Sequence, residues 1–481
     1  MDTNAIEHYL SDGSRRGAPL ANGNDGAAGG APCGDLVRVS LAADAGRIAA
    51  VSFDAEGCAT ARAAAAAAAE LLDGAAILDA ALIGPERIAE ELGGVGSEGR
   101  HAVELAADAL GRALSVLAGS GERIAGAPSS RERVLVAMSG GVDSAVAALL
   151  ERRRGAEVIG VTLKLWSDRR TDAAKSCCSP LAVLGARDLA HSLGIPHLTL
   201  DLEQAFRAQV VAGFVDGYRA GRTPNPCVIC NGEVRIDAML ALGERLGTSA
   251  LVTGHYARLA DDGEGALLAA AADAAKDQTY MLSGLASESL ARLRFPLAEL
   301  TKAEVRAIAA EAGLSVATKR ESQDLCFLAG EGKRSFLERH GHLGDRRGAI
   351  VDRRGRRLGE HSGHHQFTVG QRRGLGVAAA EPLYVLGTDA ASNEVVVGSR
   401  EELARRRVRV RAATLHRPGG RVDRVRLRYH AAPLRCEVEG VPAGDHDELE
   451  LELAEPAYGV APGQTACLLD GELVVGRATI A

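Results

Sequence analysis

The sequence predicts an α/β fold built on a doubly wound parallel sheet. Four short apolar segments have the length and composition of buried strands, at residues 134–138, 158–166, 197–202 and 251–256. Helical patterns of apolar residues separate them, as in residues 181–193. Because strands that alternate with helices form parallel sheets, ligands are expected at the carboxyl ends of these strands.

The first of these strands leads into a glycine-rich turn, SGGVDS at residues 139–144, and then into a helix. Two adjacent glycines let backbone N–H groups approach an anion without an intervening Cβ, and the helix N-terminus adds partial positive charge. The turn is not a Walker loop, because no Lys-Ser/Thr pair follows the glycines. A plain glycine turn is the alternative, but the strand–turn–helix context favours nucleotide binding.

The composition is that of an ordinary globular chain. It has 481 residues, of which 46% are apolar and 25% charged, and this length suffices for about three or four domains. The N-terminus lacks the apolar core of a signal peptide, and the alanine-rich run at 59–72 is too short to span a bilayer. Nine cysteines without a secretory signal predict reduced thiols. We therefore expect a cytoplasmic protein with no membrane partner.

Charge is distributed unevenly along the chain, whose net charge is −7. Residues 1–130 contain 9 Lys and Arg against 18 Asp and Glu, which argues against a nucleic-acid face there. Residues 341–441 contain 20 Arg and no Lys against 11 Asp and Glu. This arginine-rich block is either a solvated surface or a surface that binds phosphates.

The first part of the chain is predicted to contain a disordered leader, a small α+β domain and a linker. Residues 1–30 are rich in Gly, Ala, Asn, Asp and Ser without periodicity, which predicts disorder. The domain at residues 31–124 is expected to hold two strands and three helices, at residues 36–41, 48–53, 59–72, 84–92 and 100–117. The segment AGAPSSR at 125–131 is typical of a linker.

Three cysteines after the phosphate loop are candidates for chemistry. Cys227 and Cys230 form a CxxC pair in GRTPNPCVICN, where two prolines exclude a helix interior and predict a loop that enters a helix near Asn231. A thiol at a helix N-terminus is favoured as the thiolate. The pair is compatible with a redox pair, with half of a zinc site, or with an iron–sulfur site completed by Cys326, and these interpretations remain open.

The other cysteines in this part of the chain are expected to be structural. Adjacent side chains diverge, so the neighbouring pair Cys177 and Cys178 is a poor chelator. Cys436 and Cys467 lie in apparent strands, where a free thiol usually packs as a small apolar group.

Three segments of the N-terminal domain resemble the NifU/IscU family of iron–sulfur scaffold proteins. They are PCGD at 32–35, FDAEGCA at 53–59 and RHAVELAADA at 100–109. The resemblance implies a labile iron or zinc site with Cys33, Asp35 and Cys58 as ligands. The family's third cysteine would follow His101, but this chain has Ala102 there. His101 is then an alternative imidazole ligand, and a domain that only docks a sulfur donor is the other interpretation.

From residue 132 onward the chain resembles the bacterial MnmA family of tRNA 2-thiouridine synthases. The shared motifs occur in the family's order: SGGVDS, GRTPNPCVICN, TGHYA, KDQTYML, SQDLCF, GQRRGLG and APGQ. The family implies a pyrophosphatase-loop domain of the adenine nucleotide alpha hydrolase type, a small central domain and a C-terminal β-barrel. We assign these to residues 132–335, 336–402 and 403–481. The whole chain is thus predicted to be a fusion of a NifU-like domain to this enzyme.

The resemblance implies ligands residue by residue. ATP, with Mg²⁺, is implied to bind Ala137, Met138, Ser139, Gly140, Gly141, Val142, Asp143, Ser144, Leu163 and Gly254. The residues implied to contact tRNA are Asn225, Pro226, Cys227, His255, Lys276, Asp277, Gln278, Arg428, Tyr429 and Gln464. The loop with Asn225 and Pro226 receives the target base, and Asp143 and Lys276 are candidates for holding magnesium and phosphate charge. The arginine-rich block then has RNA as its partner.

The reaction implied by the resemblance is 2-thiolation of the wobble uridine of tRNA. ATP adenylates the C2 oxygen, which is otherwise a poor leaving group, and sulfur then displaces AMP. By resemblance, Cys326 carries the sulfur as a persulfide and Cys230 attacks it, which leaves a Cys230–Cys326 disulfide. The base must leave the anticodon stack to react. A cysteine desulfurase or a relay protein is implied as the sulfur donor.

One departure from the family leaves the mechanism open. Many relatives have Asp where this chain has Cys227, so Cys227, Cys230 and Cys326 together offer three thiolates for a [4Fe–4S] cluster with one iron free to hold sulfide. Two other functions are alternatives. One is another pyrophosphatase-loop ligase, for which no amidotransferase domain is evident. The other is a non-catalytic iron–sulfur delivery scaffold, which the intact SGGVDS, CxxC and KDQ motifs disfavour.

Overall fold

The computed structural model describes residues 3–30, 34–121, 124, 130–168, 170, 179–319, 325–328 and 330–481. These residues form a three-stranded sheet, a five-stranded sheet, a four-stranded sheet and an eight-stranded sheet. No helix in this part of the chain combines the length and the apolar character needed to cross a membrane.

The N-terminal unit packs helices on one face of a small sheet. Its elements are α1 (Thr3–Ser11), β1 (Asn24–Gly29), β2 (Leu36–Asp44), β3 (Arg47–Glu56), α2 (Ala59–Leu72), α3 (Ile77–Ala80), α4 (Pro85–Glu91) and α5 (Arg100–Gly119). The strands are antiparallel in the order β1-β2-β3, and α2 and α5 pack on them. The alanines from Ala63 to Ala69 are all buried, and such small side chains let α2 lie close to its neighbours.

The prediction of disorder for residues 1–30 is wrong for residues 3–30, which the structure describes. Helix α1 packs on α2, and β1 pairs with β2 along its whole length. The sequence of β1, NDGAAG, has a low intrinsic preference for strands, which is why its pattern indicated none. Its small residues are required by packing, because a Cβ at Gly26 would come within 2.1 Å of the Ala109 carbonyl oxygen on α5. Tertiary contacts therefore override local propensity here.

The second unit contains the predicted parallel sheet, with strands in the order β10-β7-β4-β5-β6, which confirms the predicted fold class. Its elements are β4 (Arg133–Ala137), α6 (Val142–Arg153), β5 (Glu157–Lys164), α7 (Pro180–Ser192), β6 (His197–Asp201), α8 (Glu203–Phe206), α9 (Ala212–Arg219), α10 (Pro226–Ile229), α11 (Ile236–Leu246), β7 (Ala250–Val252), β8 (Arg258–Asp261), β9 (Ala266–Ala269), α12 (Thr279–Leu282), α13 (Ser287–Leu290), β10 (Leu293–Arg294), α14 (Lys302–Glu311) and α15 (Lys333–Gly341). The π-helical segments Arg207–Val211 and Cys230–Arg235 join α8 to α9 and α10 to α11. Strands β4 and β5 are buried along most of their length, as expected for a sheet covered on both faces.

The helix that follows the two prolines begins earlier than predicted. The predicted start was near Asn231, whereas α10 begins at Pro226 and continues through Cys230–Arg235 into α11. Asn225 is the N-cap, and its side-chain oxygen accepts a hydrogen bond from the Val228 N–H at 3.4 Å. Proline is excluded from a helix interior but not from the first helical position, where its missing N–H costs no hydrogen bond.

The N-terminal unit docks directly on the edge of the parallel sheet. Helix α5 lies against β6, the edge strand. The His197 N–H donates to the Ala81 carbonyl oxygen at 3.1 Å, and Arg187 on α7 pairs with Asp108 on α5 at 3.5 Å. The two units also share one continuous apolar core. The docked unit therefore covers a strand edge that would otherwise present unpaired backbone groups.

The rest of the chain forms a four-stranded sheet and a barrel. The sheet has the order β12-β11-β14-β13, and its strands are β11 (Gly348–Asp352), β12 (Arg357–His361), β13 (Tyr384–Asp389) and β14 (Glu394–Gly398). The barrel strands are β15 (Ala404–Leu415), β16 (Arg424–Arg426), β17 (Leu434–Val438), β18 (Gly444–Tyr458), β19 (Thr465–Asp470) and β20 (Leu473–Ile480). They follow the order β15-β18-β17-β16-β19-β20, and pairing of β15 with β20 closes the ring.

A hairpin from the second unit extends the barrel sheet. Strands β8 and β9 pair with each other, and β9 pairs with β20. Asp262 in the hairpin turn accepts hydrogen bonds from Arg417 at 2.6 Å and from Arg421 at 2.7 Å. This connection, which the sequence did not predict, fixes the barrel to the unit that carries the phosphate loop.

Candidate active site

The SGGVDS turn joins β4 to α6 and is held in shape by its own serines. Gly140 adopts the left-handed region (φ +68°), which favours glycine. The Ser144 hydroxyl donates to the Gly141 carbonyl oxygen at 3.0 Å and accepts from the Ser139 N–H at 3.2 Å. Gly141 is the N-cap of α6 and provides no side-chain cap. The first N–H groups of this helix are therefore available to an anion.

The end of β7 closes against this turn. A Cβ at Gly254 would lie 2.7 Å from the Asp143 carbonyl carbon, so only glycine fits. Leu163 is buried near the carboxyl end of β5. The structure thus brings the 137–144 segment, Leu163 and Gly254, all predicted to bind ATP, to the ends of the neighbouring strands β4, β5 and β7. Parallel sheets bind ligands at this edge.

Asp143 is paired with a lysine that the sequence analysis missed. The Lys302 Nζ lies 2.7 Å from both carboxylate oxygens of Asp143, and the Tyr256 hydroxyl donates to Asp143 Oδ1 at 2.9 Å. Lys302 is the first residue of α14, where Thr301 and Glu304 form a capping box. That box is visible in the sequence as TKAE, but only the tertiary fold brings the helix to the loop.

A second lysine reaches the loop from the segment before the SQDLCF motif. The Lys319 Nζ donates to the Gly140 carbonyl oxygen at 2.8 Å. Lys276 lies in the turn before α12, where its N–H donates to the Asp273 carbonyl oxygen, and the Asp273 carboxylate accepts from the Lys302 N–H at 3.0 Å. The structure therefore places Lys302 and Lys319 at the loop, with the Lys276 turn next to α14.

Cys227 and Cys230 lie three residues apart on α10 and its continuation. Side chains at this spacing share one face of a helix. Cys230 is buried and Cys227 is partly exposed. Cys326 is also partly exposed and begins a short 3₁₀ turn, Cys326–Leu328, while residues 322–324 of the same motif lie outside the described residues. Two thiols on one helix face suit either a sulfur relay or two corners of a cluster.

The continuous helical segment 203–219 packs against both of the elements that carry the predicted catalytic cysteines, Cys230 and Cys326. Phe327, which follows the third cysteine, packs edge-on against Phe206 and Phe214, with ring centroids 5.8 and 5.1 Å apart. Along the chain, the π-helical segment Arg207–Val211 lies between Phe206 and Phe214, and it contacts the π-helical segment Cys230–Arg235. The two cysteine-bearing elements therefore pack on the same support.

The loop predicted to receive the target base is fixed to the barrel. The Thr223 N–H donates to the Pro462 carbonyl oxygen at 2.7 Å, and the Gln464 side-chain nitrogen donates to the Thr223 carbonyl oxygen at 2.8 Å. Asn225 and Pro226 follow as the cap and the first residue of α10. Gln464, which the resemblance assigns to tRNA, thus positions the loop within the protein.

Asp277 of the KDQ motif is buried at the junction with the barrel. It is 6% exposed and accepts hydrogen bonds from Arg426 at 2.9 Å and from the Thr279 hydroxyl at 2.8 Å. The Gln278 side-chain oxygen accepts from the Tyr256 N–H at 3.0 Å. Asp277 therefore joins the second unit to the barrel through a buried ion pair, a contact that the sequence analysis did not predict.

Two histidines near the strand ends are held neutral. The Thr162 hydroxyl donates to the Met138 carbonyl oxygen at 2.7 Å, so it accepts from the His197 Nε2–H, also at 2.7 Å. Burial lowers the pKa of His197 to about 3. His255, assigned to tRNA by the resemblance, has its Nδ1 2.9 Å from the Thr253 hydroxyl, and burial lowers its pKa as well. Neither ring is charged at pH 7.

Arg428 and Tyr429 lie where the four-stranded sheet meets the barrel. Arg428 donates to the carbonyl oxygens of Val369 and Gly459, and burial lowers the pKa of its guanidinium. The Tyr429 ring lies beside His430, with centroids 3.8 Å apart. Burial raises the pKa of the Tyr429 hydroxyl. This pair of neighbouring rings is the type of surface on which a base stacks.

In the N-terminal unit, two of the predicted metal ligands lie together. One carboxylate oxygen of Asp35 accepts from the Cys58 N–H at 2.7 Å, and the other lies 3.4 Å from the Cys58 Sγ. Gly57 allows this approach, since a Cβ there would lie 2.1 Å from Asp35 Oδ1. His101 is exposed near the start of α5, followed by the buried Ala102. The cysteines that lie outside the described residues are Cys33, Cys177 and Cys178.

Comparison with known protein families assigns each unit. The model of the NifU-like N terminal domain matches residues 2–120. The model of the tRNA methyl transferase HUP domain matches residues 132–330, and the PRC-barrel domain of the same family matches residues 334–399. The aminomethyltransferase beta-barrel domain matches residues 406–480.

The chain is 46% identical to the bifunctional protein NifU/MnmA of Rubrobacter xylanophilus, over 99% of this chain and 97% of that protein. The chain belongs to the NifU/MnmA family. The tRNA-specific 2-thiouridylases MnmA of Acidithiobacillus ferrooxidans and Syntrophotalea carbinolica are 44% and 43% identical to it, over 72% and 73% of this chain and 97% and 99% of their own lengths. Both family resemblances are therefore confirmed.

In this NifU/MnmA chain the HUP-domain match includes the phosphate loop, the CxxC helix, Lys302 and Cys326. The site thus draws its loop, its lysines and its three candidate cysteines from a single domain. The barrel and the loop predicted to receive the base face each other across that domain's boundary, where Gln464 and Asp277 make the hydrogen bonds described above.

Proposed function

We propose that this chain transfers sulfur to C2 of the wobble uridine of tRNA in an ATP-dependent reaction. The observation that carries the proposal is that one domain holds both a phosphate loop and a CxxC helix, in a chain whose relatives include proteins named tRNA-specific 2-thiouridylase. The loop supplies the means to activate an oxygen, and the thiols supply the means to replace it.

The phosphate loop supports the activation step. Residues 137–144 with Leu163 and Gly254 would hold ATP, and Asp143 would hold Mg²⁺. The uridine C2 oxygen attacks the α-phosphorus of ATP, the bond to the leaving pyrophosphate breaks, and the C2 oxygen then bears AMP. The negative charge that develops on the phosphates is stabilised by Lys302, by Lys319 and by the first N–H groups of α6.

The cysteines support the sulfur step. A persulfide on Cys326 attacks C2, and AMP leaves with the original oxygen. The Cys230 thiolate then attacks the Cys326 Sγ, which releases the outer sulfur to the base and leaves a Cys230–Cys326 disulfide. A dithiol reductant restores the two thiols, and a cysteine desulfurase or relay protein reloads Cys326. We place this cycle in the cytoplasm, where tRNA and reduced thiols occur.

The base-receiving loop and the barrel junction support the binding of tRNA. We propose that Asn225, Pro226 and Cys227 meet the extruded base, with His255 and the KDQ segment beside it. The barrel junction holds Arg428, Tyr429 and Gln464. The neighbouring rings of Tyr429 and His430 would stack on a base there. His255 contributes as a neutral hydrogen-bonding group, since burial lowers its pKa.

The same cysteines also fit an iron–sulfur cluster. Cys227, Cys230 and Cys326 would hold it, and when bound it would supply an iron that accepts sulfide. The shared helix face of Cys227 and Cys230 fits this alternative, as thiolates three residues apart can approach one cluster. A separate iron or zinc site in the N-terminal unit would use Cys33, Asp35, Cys58 and His101.

Spectra of anaerobically purified protein distinguish the two sulfur carriers. Ultraviolet–visible and Mössbauer signals of a [4Fe–4S] cluster that are lost in Cys227→Ala support the cluster. Cluster signals that survive in Cys227→Ala exclude Cys227 as a required ligand. Thiolation by protein without iron, at an undiminished rate, supports the persulfide.

The proposed function is tested by incubating the full chain with ATP, a persulfide donor and a tRNA transcript that has uridine at the wobble position. Thiolated tRNA is retarded in gels that contain an organomercurial. We expect retardation with ATP and none without ATP or with cytidine at that position. Adenylation without thiolation of any tRNA would indicate another pyrophosphatase-loop ligase, and the absence of any ATP use would indicate a delivery scaffold.

A further inference from the structure

A cavity of about 180 Å³ opens between the base-receiving loop and the barrel. Its walls include Arg222 and Asn225 from the loop, Arg411 from β15 and Arg477 from β20. Pockets that enclose whole small molecules usually measure roughly 300–1,000 Å³. The size of this cavity therefore suits a phosphate or a sugar-phosphate better than a complete nucleotide.

The side chains that line the cavity carry net positive charge. Three arginines line it, and none of its lining residues is acidic. Two carboxylates come near these arginines: Glu233 pairs with Arg477 at 3.5 Å, and Glu448 on β18 stands opposite Arg411 in register. Among the described residues, neither Arg222 nor Arg411 has an ion-pair partner. Guanidinium groups that face one cavity repel each other unless an anion lies between them, and phosphate is the anion whose geometry suits them best.

The backbone segments that carry Arg222 and Arg411 are held in place by hydrogen bonds to the barrel. Arg411 is paired in register with Thr479 on β20, in the closure of the barrel. Arg222 precedes Thr223, whose N–H and carbonyl groups are both hydrogen-bonded to the barrel. Gly463 (φ +90°) lies against this loop, and a Cβ there would come within 3.1 Å of the Arg222 Cβ. The loop and the barrel thus form the two walls of a single preformed cavity.

We propose that Arg222, Arg411 and Arg477 form a phosphate site for the RNA backbone next to the target nucleotide. Asn225, which we propose meets the base, lines the same cavity. A phosphate held there sets the position of the strand relative to the base-receiving loop without reading its sequence. The inference rests on the proposed function, because tRNA is the polymer that brings the phosphate to this loop.

The test measures binding of a fluorescent tRNA transcript to the full chain by anisotropy, without ATP and at several salt concentrations. Arg411→Ala is expected to weaken binding roughly tenfold and to reduce the slope of log K against log salt by about one. Arg411→Lys keeps a positive charge and should retain most of the slope. Arg222→Ala and Arg477→Ala are expected to act in the same direction.

Arg87→Ala is the control. Arg87 is exposed on α4 of the N-terminal unit, whose acidic balance argues against a nucleic-acid face, and it does not line the cavity. Its removal should change the affinity less than twofold, as expected for an exposed charge outside the site. The site is overturned if the three cavity variants, with wild-type circular dichroism and melting temperature, bind tRNA no more weakly than Arg87→Ala.

ATP is the other source of phosphate, and a second measurement separates it from RNA. If the cavity variants raise the KM for ATP in thiolation while tRNA affinity and its salt slope stay unchanged, the cavity serves ATP and the RNA site is overturned. Because tRNA binding is measured without turnover, a wild-type chain that binds tRNA but never thiolates it would reject the proposed function and leave the binding result intact.

Discussion

The Lys302 Nζ lies 2.7 Å from both carboxylate oxygens of Asp143, at the N-terminus of the helix that follows the SGGVDS turn. The lysine side chain is 12% exposed and the aspartate side chain 30% exposed, so the pair is partly accessible to solvent. The contact brings an amine from α14 to the place where the helix N-terminus attracts anions. Lys302 is therefore suited to bind the phosphates of ATP.

Replacement of Lys302 by alanine is expected to reduce tRNA-dependent formation of AMP roughly 100-fold, because one preorganised charge on the reacting phosphates is lost. Lys302→Arg should recover part of the activity. Arg292→Ala is the control, since Arg292 precedes β10 at the amino edge of the sheet and forms an exposed pair with Glu244, and such pairs contribute little. AMP formation by Lys302→Ala at the wild-type rate would contradict this role.

Gly254→Ala is expected to raise the KM for ATP at least about tenfold, equivalent to roughly 1.4 kcal/mol. The added Cβ would lie 2.7 Å from the Asp143 carbonyl carbon and would push the start of α6 away from β7. Gly185→Ala is the matched control, because Gly185 lies in α7 with nothing within 4 Å of a Cβ. That change should leave the KM unaltered and slightly stabilise the helix. Equal KM values for the two variants would show that the contact with β7 does not shape the loop.

The Asp277–Arg426 pair is expected to stabilise the fold as well as the site. Asp277→Ala leaves a largely buried guanidinium without its carboxylate, which typically costs about 3 kcal/mol. Urea unfolding monitored by circular dichroism should show the loss. Arg424→Ala, which breaks an exposed pair with Asp423, should cost less than about 1 kcal/mol. If Asp277→Ala keeps wild-type stability and loses only tRNA affinity, Asp277 does not stabilise the contact between the second unit and the barrel. A direct contact of Asp277 with RNA is then favoured.

Stability is expected to fall below pH 6.5 partly because of His197. Burial lowers its pKa from 6.5 to about 3, so between these values the folded chain binds fewer protons than the unfolded chain. The stabilisation is therefore complete above pH 6.5 and is lost as the pH falls. Each pH unit within this window corresponds to at most about 1.4 kcal/mol.

His197→Gln removes that titration and keeps a donor for the Thr162 hydroxyl. Between pH 7 and pH 5, wild-type protein should lose about 1–2 kcal/mol more than His197→Gln, as measured by the shift of the urea midpoint. Parallel pH profiles for the two proteins would show that the buried ring does not control this dependence.

Much of the fold was predictable because local patterns and tertiary structure agree in it. The parallel strands are continuous apolar runs, and α2 has the predicted bounds 59–72. Strand β1 was not predicted because its sequence, NDGAAG, forms a strand only by pairing with β2 and packing on α5. The β8–β9 extension of the barrel depends on contacts between residues more than 200 positions apart, such as Leu473 with Ala269, and no local pattern encodes such contacts.

For the site, the motifs indicated the loop and the cysteines but not what holds them. Lys302 is 159 residues from Asp143, and a lysine at a helix start is common, so its partner was not visible in the sequence. Helix α10 begins before the predicted start because proline, which a helix interior excludes, is accepted at the first helical position, where Pro226 lies. The order of the motifs predicted the family, whereas the supporting contacts depend on the tertiary structure.

The most direct test of sulfur delivery by the loop and the thiols is a single-turnover reaction of Cys230→Ser with ATP, persulfide donor and tRNA, in which AMP and 2-thiouridine are measured together. We expect the variant to consume ATP, because the loop is intact, and to form no 2-thiouridine, because the thiol that releases the sulfur is absent. A wild-type yield of 2-thiouridine from Cys230→Ser would contradict the proposed mechanism.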